Sequence, residues 1–371
     1  MTCVSLSSSG IRALFFAALV SVSLGSAITV AEEGGSDFPP LARVAPETNR
    51  IEQSLITSIT TAGARLVAVG EHGIVALSDD NGSSWRQAKV PVDVSLTAVK
   101  FADQQNGWAI GHFGVVLGTR DGGETWTLLM TGKQAAQLIF GWASQNANHS
   151  QETSSDFTAY AEGLVSDGPD KPFFDVLVKD KNTLVVIGAY NLAIQSSDGG
   201  KTWQAFSQNI ENSGSMHLYA LADIGGREII AGEQGLLLAQ DHGENFTPVQ
   251  SPYDGSFFGL FATGKDSAVA FGLRGNAYFT GNNGKSWIRS NVHTGDTFNA
   301  GVVKKNGDVL LLTQSGRIFA SRDSGENFRQ LKFEVGVPLT SAVETENGDV
   351  IIASVAGVFK LAAAASREFA N

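Results

Sequence analysis

Along nearly the whole chain, short apolar runs alternate with polar turns, a spacing that predicts β-strands rather than helices. The pattern is clearest from 96 to 130, where LTAVKF at 96–101, GWAIG at 107–111, GVVLGT at 114–119 and WTLLM at 126–130 read as four consecutive strands. Between the second and third lies a glycine turn. It recurs as GEHG at 70, GHFG at 111, GAYN at 188, GEQG at 232 and GLRG at 272, and more loosely as TQSG at 313 and SVAG at 354. One four-strand unit is therefore present in seven copies.

A second signal marks the link from third to fourth strand. The phrases SDDNGSSW, TRDGGETW, SSDGGKTW, AQDHGENF, TGNNGKSW and SRDSGENF place Asp80, Asp121, Asp198, Asp241, Asn282 and Asp323 at intervals of 41, 77, 43, 41 and 41 residues. Such a period belongs to four-stranded blades around an axis. An Asp or Asn bonds backbone amides two residues on, and the glycine that follows takes the positive φ of a tight turn. The closing aromatics, Trp85, Trp126, Trp203, Phe246, Trp287 and Phe328, are expected to bury their rings between blades.

These patterns predict an all-β protein: a single seven-bladed β-propeller over 37–371, built of four-stranded antiparallel blades with Asp-box turns. The seventh unit, SVAGVFKLA, runs into Ala362 to Ala365 with no Asp phrase. Closure is therefore expected from the N-terminal segment around Leu41 to Val44, supplied as the missing strand. The long interval after the second phrase holds an excess of 36 residues, about 131–171, without a glycine turn or strand pair. Helix-compatible residues at Gln134 to Trp142 and Asp156 to Val165 make a helical insertion after blade 2 the better reading than an eighth blade. In a meander of this kind the insertion shares a face with the glycine turns, and the Asp phrases occupy the other.

Composition changes the picture at the N-terminus. Residues 1–27 carry Arg12, the apolar run Ala13 to Leu24, and small residues at Gly25 and Ala27, the layout of a secretory signal peptide, with an alternative cut after Ala31. An exported, periplasmic protein is expected. The single cysteine, Cys3, precedes that run, so no disulfide is expected in the mature chain. Without the leader, 25 basic residues face 37 acidic ones, a formal charge of −12, which disfavours nucleic acid as a partner.

Candidate chemistry is sparse. Each Asp phrase supplies one carboxylate and Asn282 replaces one outright, so calcium loops are disfavoured. His72, His112, His217 and His293 lack ligand spacing and read as isolated surface histidines, so no metal and no cofactor are expected. The stretch SDGPDKPFFDV at 166–176 carries Asp167, Asp170, Lys171 and Asp175, either a charged cluster at the rim or a turn that returns the insertion to the ring. Sialidases use the same Asp phrase, but the F-R-I-P motif is absent and the arginines do not obviously converge. A glycoside hydrolase or glycan-binding lectin is thus the alternative, and catalytic residues are expected to be none. Loops on a rigid ring are where binding concentrates. The partner-binding candidates are Glu71, His72, His112, Phe113, Trp142, Asp170, Lys171, Tyr190, Glu233, Gln234 and Arg274.

With the seven units, the leader, the insertion and DGPDKPF at 167–173 in view, the chain resembles the Ycf48/Hcf136-like propellers over about residues 45–361. Photosynthetic members are assembly factors of photosystem II that hold an early reaction-centre subunit. They are associated with an arginine-rich patch that this acidic chain does not match. The resemblance implies a non-catalytic exported scaffold, monomeric and at most peripheral to the membrane, whose partner is an envelope membrane protein or complex.

Overall fold

A computed structural model describes residues 38–146, 151–241, 243 and 245–370; the expected leader lies outside them. Seven antiparallel sheets follow one another along the chain, each a simple meander. Blade one comprises Ile56–Ala62, Arg65–Gly70, Val75–Ser78 and Arg86–Gln87, and the next five repeat it. Neighbouring inner strands pack in cyclic order, and that of blade seven, Leu339–Glu344, returns to Ile56–Ala62. The ring is a seven-bladed propeller.

Burial follows position within the blade. Second strands such as Gly107–Gly111 and Leu184–Gly188 are buried throughout, whereas four of the inner strands, Ile56–Ala62, Phe173–Val178, Phe257–Ala262 and Leu339–Glu344, bury every third residue. Each inner strand carries a bulge after its first residue, as between Ile56 and Ser58, which shifts the alternation there by one position. The core fills the gaps between blades: Trp126 packs with residues of blades one and two, Trp203 with blades two and three, and Phe246 with blades three and four. Each closing aromatic is thus a wedge between its own blade and the preceding one.

The Asp phrases form the expected turns with a different register. Asp80 Oδ1 accepts from the amides of Ser83 and Ser84, three and four residues on, at 3.0 and 2.9 Å, not from an amide two residues on. A hydroxyl two residues earlier completes the turn: Ser78, Thr119, Ser196, Thr280 and Ser321 are buried, donate to the Asp or Asn, and accept the amide of the following glycine. Blade four has Ala239 there, and its Asp241 is held by Arg227 through Nε and Nη2 at 2.5 and 2.9 Å.

Closure departs from expectation. Blade seven has three strands, Leu339–Glu344, Val350–Ser354 and Gly357–Leu361, and among the described residues no N-terminal strand joins it. Leu41 ends a short 3-10 turn and is buried among residues of blades one and two, with Ala45 N bonded to Val90 O. The physical reason is that little is missing: outer strands are only two residues long in blades one, three, four and five. The seam is held by side-chain bonds instead, Thr340 Oγ1 to Ile56 O at 2.5 Å and Ile59 N to Ser341 Oγ at 3.2 Å. The C-terminal tail turns back onto blade six, where Leu331 bridges Phe369 and the ring of Phe369 lies beneath Arg322 and Arg329.

The insertion is a pair of helices, α1 (Gly132–Asn146) and α2 (Gln151–Asp167), longer than the sequence pattern suggested. Both ends lie on the glycine-turn face: Gly132 meets Gly114, and Lys171 Nζ lies 5.7 Å over the ring of Tyr190. From there α1 packs outward against the outer strand of blade three. Ala135, Ala136, Ile139, Ala143, Ala161 and Leu164 are buried in one cluster with Trp108, Ile194 and Trp203. The helices are therefore part of the core between blades two and three.

Candidate partner-binding face

Each glycine turn is shaped by two close approaches. At Gly70 a β-carbon would stand 2.1 Å from the Leu55 carbonyl, which accepts the Glu71 amide, so no side chain fits. Gly73, at φ 71°, faces the Val92 carbonyl as closely. Between them His72 adopts φ 52°, and the equivalent Phe113, Tyr190, Gln234 and Arg274 adopt φ 57°, 53°, 51° and 56°. Two successive left-handed residues give a turn matched to the strand twist. A non-glycine residue in that region is strained, yet five blades hold one there, all on one face.

Neighbouring turns are stitched together. The amides of Tyr190, Gln234 and Arg274 donate to His217 Nδ1, Ser256 Oγ and Thr297 Oγ1 of the following blade. Glu71 and Glu233 accept the amides of Leu55 and His217, both at 3.2 Å. His72 bonds Asp93 at 2.9 Å. His217 is consequently a pin between two turns and not an isolated surface histidine. Phe113 is half-buried, its ring centroid 4.1 Å from that of Phe38, whereas His72, Tyr190, Gln234 and Arg274 are exposed. His112, exposed at one edge but crowded by protein, is pushed down by burial. Trp142 on α1 is 37% exposed, edge-on to Phe157. Asp170 and Asp167 pair with Lys171, so the segment 166–176 is both a returning turn and a charged rim cluster.

The sequence reading missed a feature inside the mouth. At the first bulge position of the seven inner strands stand Thr57, Thr97, Phe174, Tyr219, Phe258, Asn299 and Thr340. The four polar ones donate to the first carbonyl of the next blade's inner strand, at Leu96, Phe173, Leu339 and Ile56. Three consecutive blades carry aromatics instead. Their rings run as an arc, Phe174 to Tyr219 at 5.2 Å and Tyr219 to Phe258 at 5.6 Å, extended through His217 to Tyr190 at 4.5 Å. Only an alignment of inner strands by their bulges could have found it. Beside the arc, burial pushes the Asp175 carboxyl up, opposed by Lys100 and by the amides of Leu221 and Val176. Tyr219 is likewise pushed up by burial, with Glu233 adding to it.

The opposite face carries a different chemistry. Arg65 and Arg86 share Asp79 and Glu124, Arg227 holds Asp241, and Arg317 on the turn face pairs with Asp296. Of the arginines that a sialidase-like site would need to converge, Arg65 and Arg86 on one face and Arg317 on the other are thus engaged in ion pairs.

A family profile described as "Photosynthesis system II assembly factor YCF48" matches residues 28–144 and 165–332. The chain belongs to this family. The gap in the match, residues 145–164, falls within the helical insertion and takes in most of α2 but leaves α1 almost wholly matched. Among curated proteins, the photosystem II stability/assembly factor HCF136 of Cyanidioschyzon merolae is 45% identical over 47 residues, 12% of this chain and 11% of that protein. The photosystem II assembly lipoprotein Ycf48 of Synechococcus sp. is 27% identical over 160 residues, 41% of this chain and 46% of that protein. The aligned parts thus span less than half the length of these relatives. A solved structure of YCF48 bound to D1 peptide shares the fold at TM-score 0.59 and 15% identity, covering 83% of this chain and 93% of that one. YCF48 from Cyanidioschyzon merolae gives 0.60 at 15%, covering 86% and 97%. The WD40 propeller of Doa1 gives 0.59 at 11%, covering 86% and 95%, so likeness of this kind speaks for the propeller alone.

Proposed function

We propose that this protein is an exported, non-catalytic assembly-factor-like scaffold whose glycine-turn face holds a segment of a membrane-protein partner. The observation that carries the reading is the set of five strained turns, which keep side chains on the one face the helical insertion also enters. Membership of an assembly-factor family, and a relative solved with a D1 peptide, support it. A stitched ring presents loops already ordered, so docking loses little conformational entropy. His72, Trp142, Tyr190, Gln234 and Arg274 are the exposed contacts. Glu71, Glu233, Asp170 and Lys171 set the charge around them, and His112 and Phe113 shape the floor. The partner is an envelope membrane protein held by a monomer that is at most peripheral to the bilayer.

Photo-crosslinking residues placed at His72, Trp142, Gln234 and Arg274 test this in intact cells, with Lys201 and Lys285 in the Asp turns as controls. An integral membrane protein should be captured from the first set and not from the controls. Equal or stronger capture from Lys201 and Lys285 would overturn the assignment of the face.

A further inference from the structure

We propose that the aromatic arc of blades three to five is the subsite that takes an extended basic peptide segment, with arginine or lysine side chains laid over the rings of Phe174, Tyr219 and Phe258. The proposal rests on the reading of this face as the docking surface and names the chemistry it selects.

Three observations converge on it. The arc stands at a position whose other four occupants pin one blade to the next, so three consecutive junctions give up that bond for half-exposed rings. Half-exposed rings with accessible faces attract cations through their quadrupole, most strongly where water is partly excluded. One such contact already exists: the ammonium of Lys171 lies 5.7 Å over Tyr190, at the end of the arc. Among the described residues no cation of the chain lies over Phe174, Tyr219 or Phe258.

Charge favours the same guest. Glu233 stands at the His217 end and Asp175 adjoins Phe174 in the bulge, its Oδ2 held by the Leu221 amide at 2.9 Å. Asp254 is exposed on the link before Phe258, and Lys171 is outnumbered by Asp167 and Asp170. Arg274, beyond Phe258, and Lys100, which acts on Asp175, are the opposing cations. The balance around the arc is negative, as it is for the chain, so an acidic segment would be repelled and a basic one drawn in.

The test uses the protein without its leader and two fluorescein-labelled octapeptides, (Gly-Arg)4 and (Gly-Glu)4, followed by anisotropy. The arginine peptide should bind, more weakly as salt rises, and the glutamate peptide should not. The combined Phe174→Leu, Tyr219→Leu and Phe258→Leu variant keeps apolar bulk and should weaken arginine-peptide binding about tenfold. Equal binding of the two peptides by the unaltered protein, a comparison that needs no variant, would overturn the proposal. So would an unchanged affinity in the leucine variant. In cells, wild-type levels of crosslinking from His72 and Trp142 in that variant would sink the arc while leaving the face in place. Loss of crosslinks from every face position in the unaltered protein would remove the face itself.

Discussion

A buried hydroxyl two residues ahead of the aspartate decides how each Asp turn is wired. Where it is present the carboxylate is drawn into its own turn: Asp80 is pulled down to about 2 by the bonds from Ser84 and Ser78. Burial acts to raise Asp121, Asp198 and Asp323, and the turn's hydrogen bonds outweigh it, so all three also lie below the ordinary value. A carboxylate whose folded value is depressed stabilises the protein above its unfolded value and loses that contribution as pH falls through the folded one. Melting temperature should therefore drop by several degrees between about pH 5 and about pH 3. Asn282 shows how an amide fills the role, accepting the Ser286 amide at 3.0 Å and donating to the Ser286 hydroxyl at 2.9 Å. Combining Asp80→Asn, Asp121→Asn, Asp198→Asn and Asp323→Asn should flatten that acid slope in part, measured by thermal melts across the same range, the remainder being left to Asp79, Asp103, Glu124, Asp180 and Asp349, which hydrogen bonds and cations also hold down.

Elements made of repeated local rules were legible in the sequence, and those set by relations between blades were not. GWAIG and LTAVKF became the strands expected of them, because alternation and turn chemistry act within a few residues. The closing strand expected at Leu41 to Val44 does not form because the ring needs no full fourth strand: four blades make do with two residues there. Phe174, Tyr219 and Phe258 look like ordinary apolar strand residues until the inner strands are superimposed on their bulges. The helices were legible as helices but not as core. Their apparent independence as an insertion suggests that 134–166 can be removed, yet Ile139 and Leu164 are fully enclosed with Trp203. Burial of such side chains contributes about 1.5–3 kcal/mol each, so the deletion should cost several kcal/mol of a total of about 5–15. Circular dichroism should show a melting point at least about 10 °C lower, or no cooperative transition. The change Val165→Ser at an exposed position should lower it far less.

At the scale of the whole molecule, the ring is completed by side contacts and by a tail that belongs to another blade. The tail's anchor is unusual: Lys304 is buried, with its ammonium 2.8 Å from Ser366 Oγ and 3.9 Å from Glu344 Oε1. Ser366→Ala leaves that ammonium short of an acceptor and should cost about 2 kcal/mol, the range for hydrogen bonds to buried charges. A denaturant melt with an unchanged slope would report it, and a loss under about 0.5 kcal/mol would show that the tail is not what holds Lys304.

The three-stranded seventh blade also fixes how the molecule would yield to tension on its two ends. The residues around Leu41 lie over blades one and two and the tail is clasped to blade six, but Ile51–Gln53 sits in the junction of blades seven and one, with Ile51 buried among Ile351, Ala353 and Ile56. A pull would first peel the tail and the stretch before Ile51, and then load the seam, where Ile51, a few hydroxyl bonds and the packing of Ile351 against Leu66 share the force. That seam is the natural unzipping point: the ring would open there as an arc of otherwise intact blades.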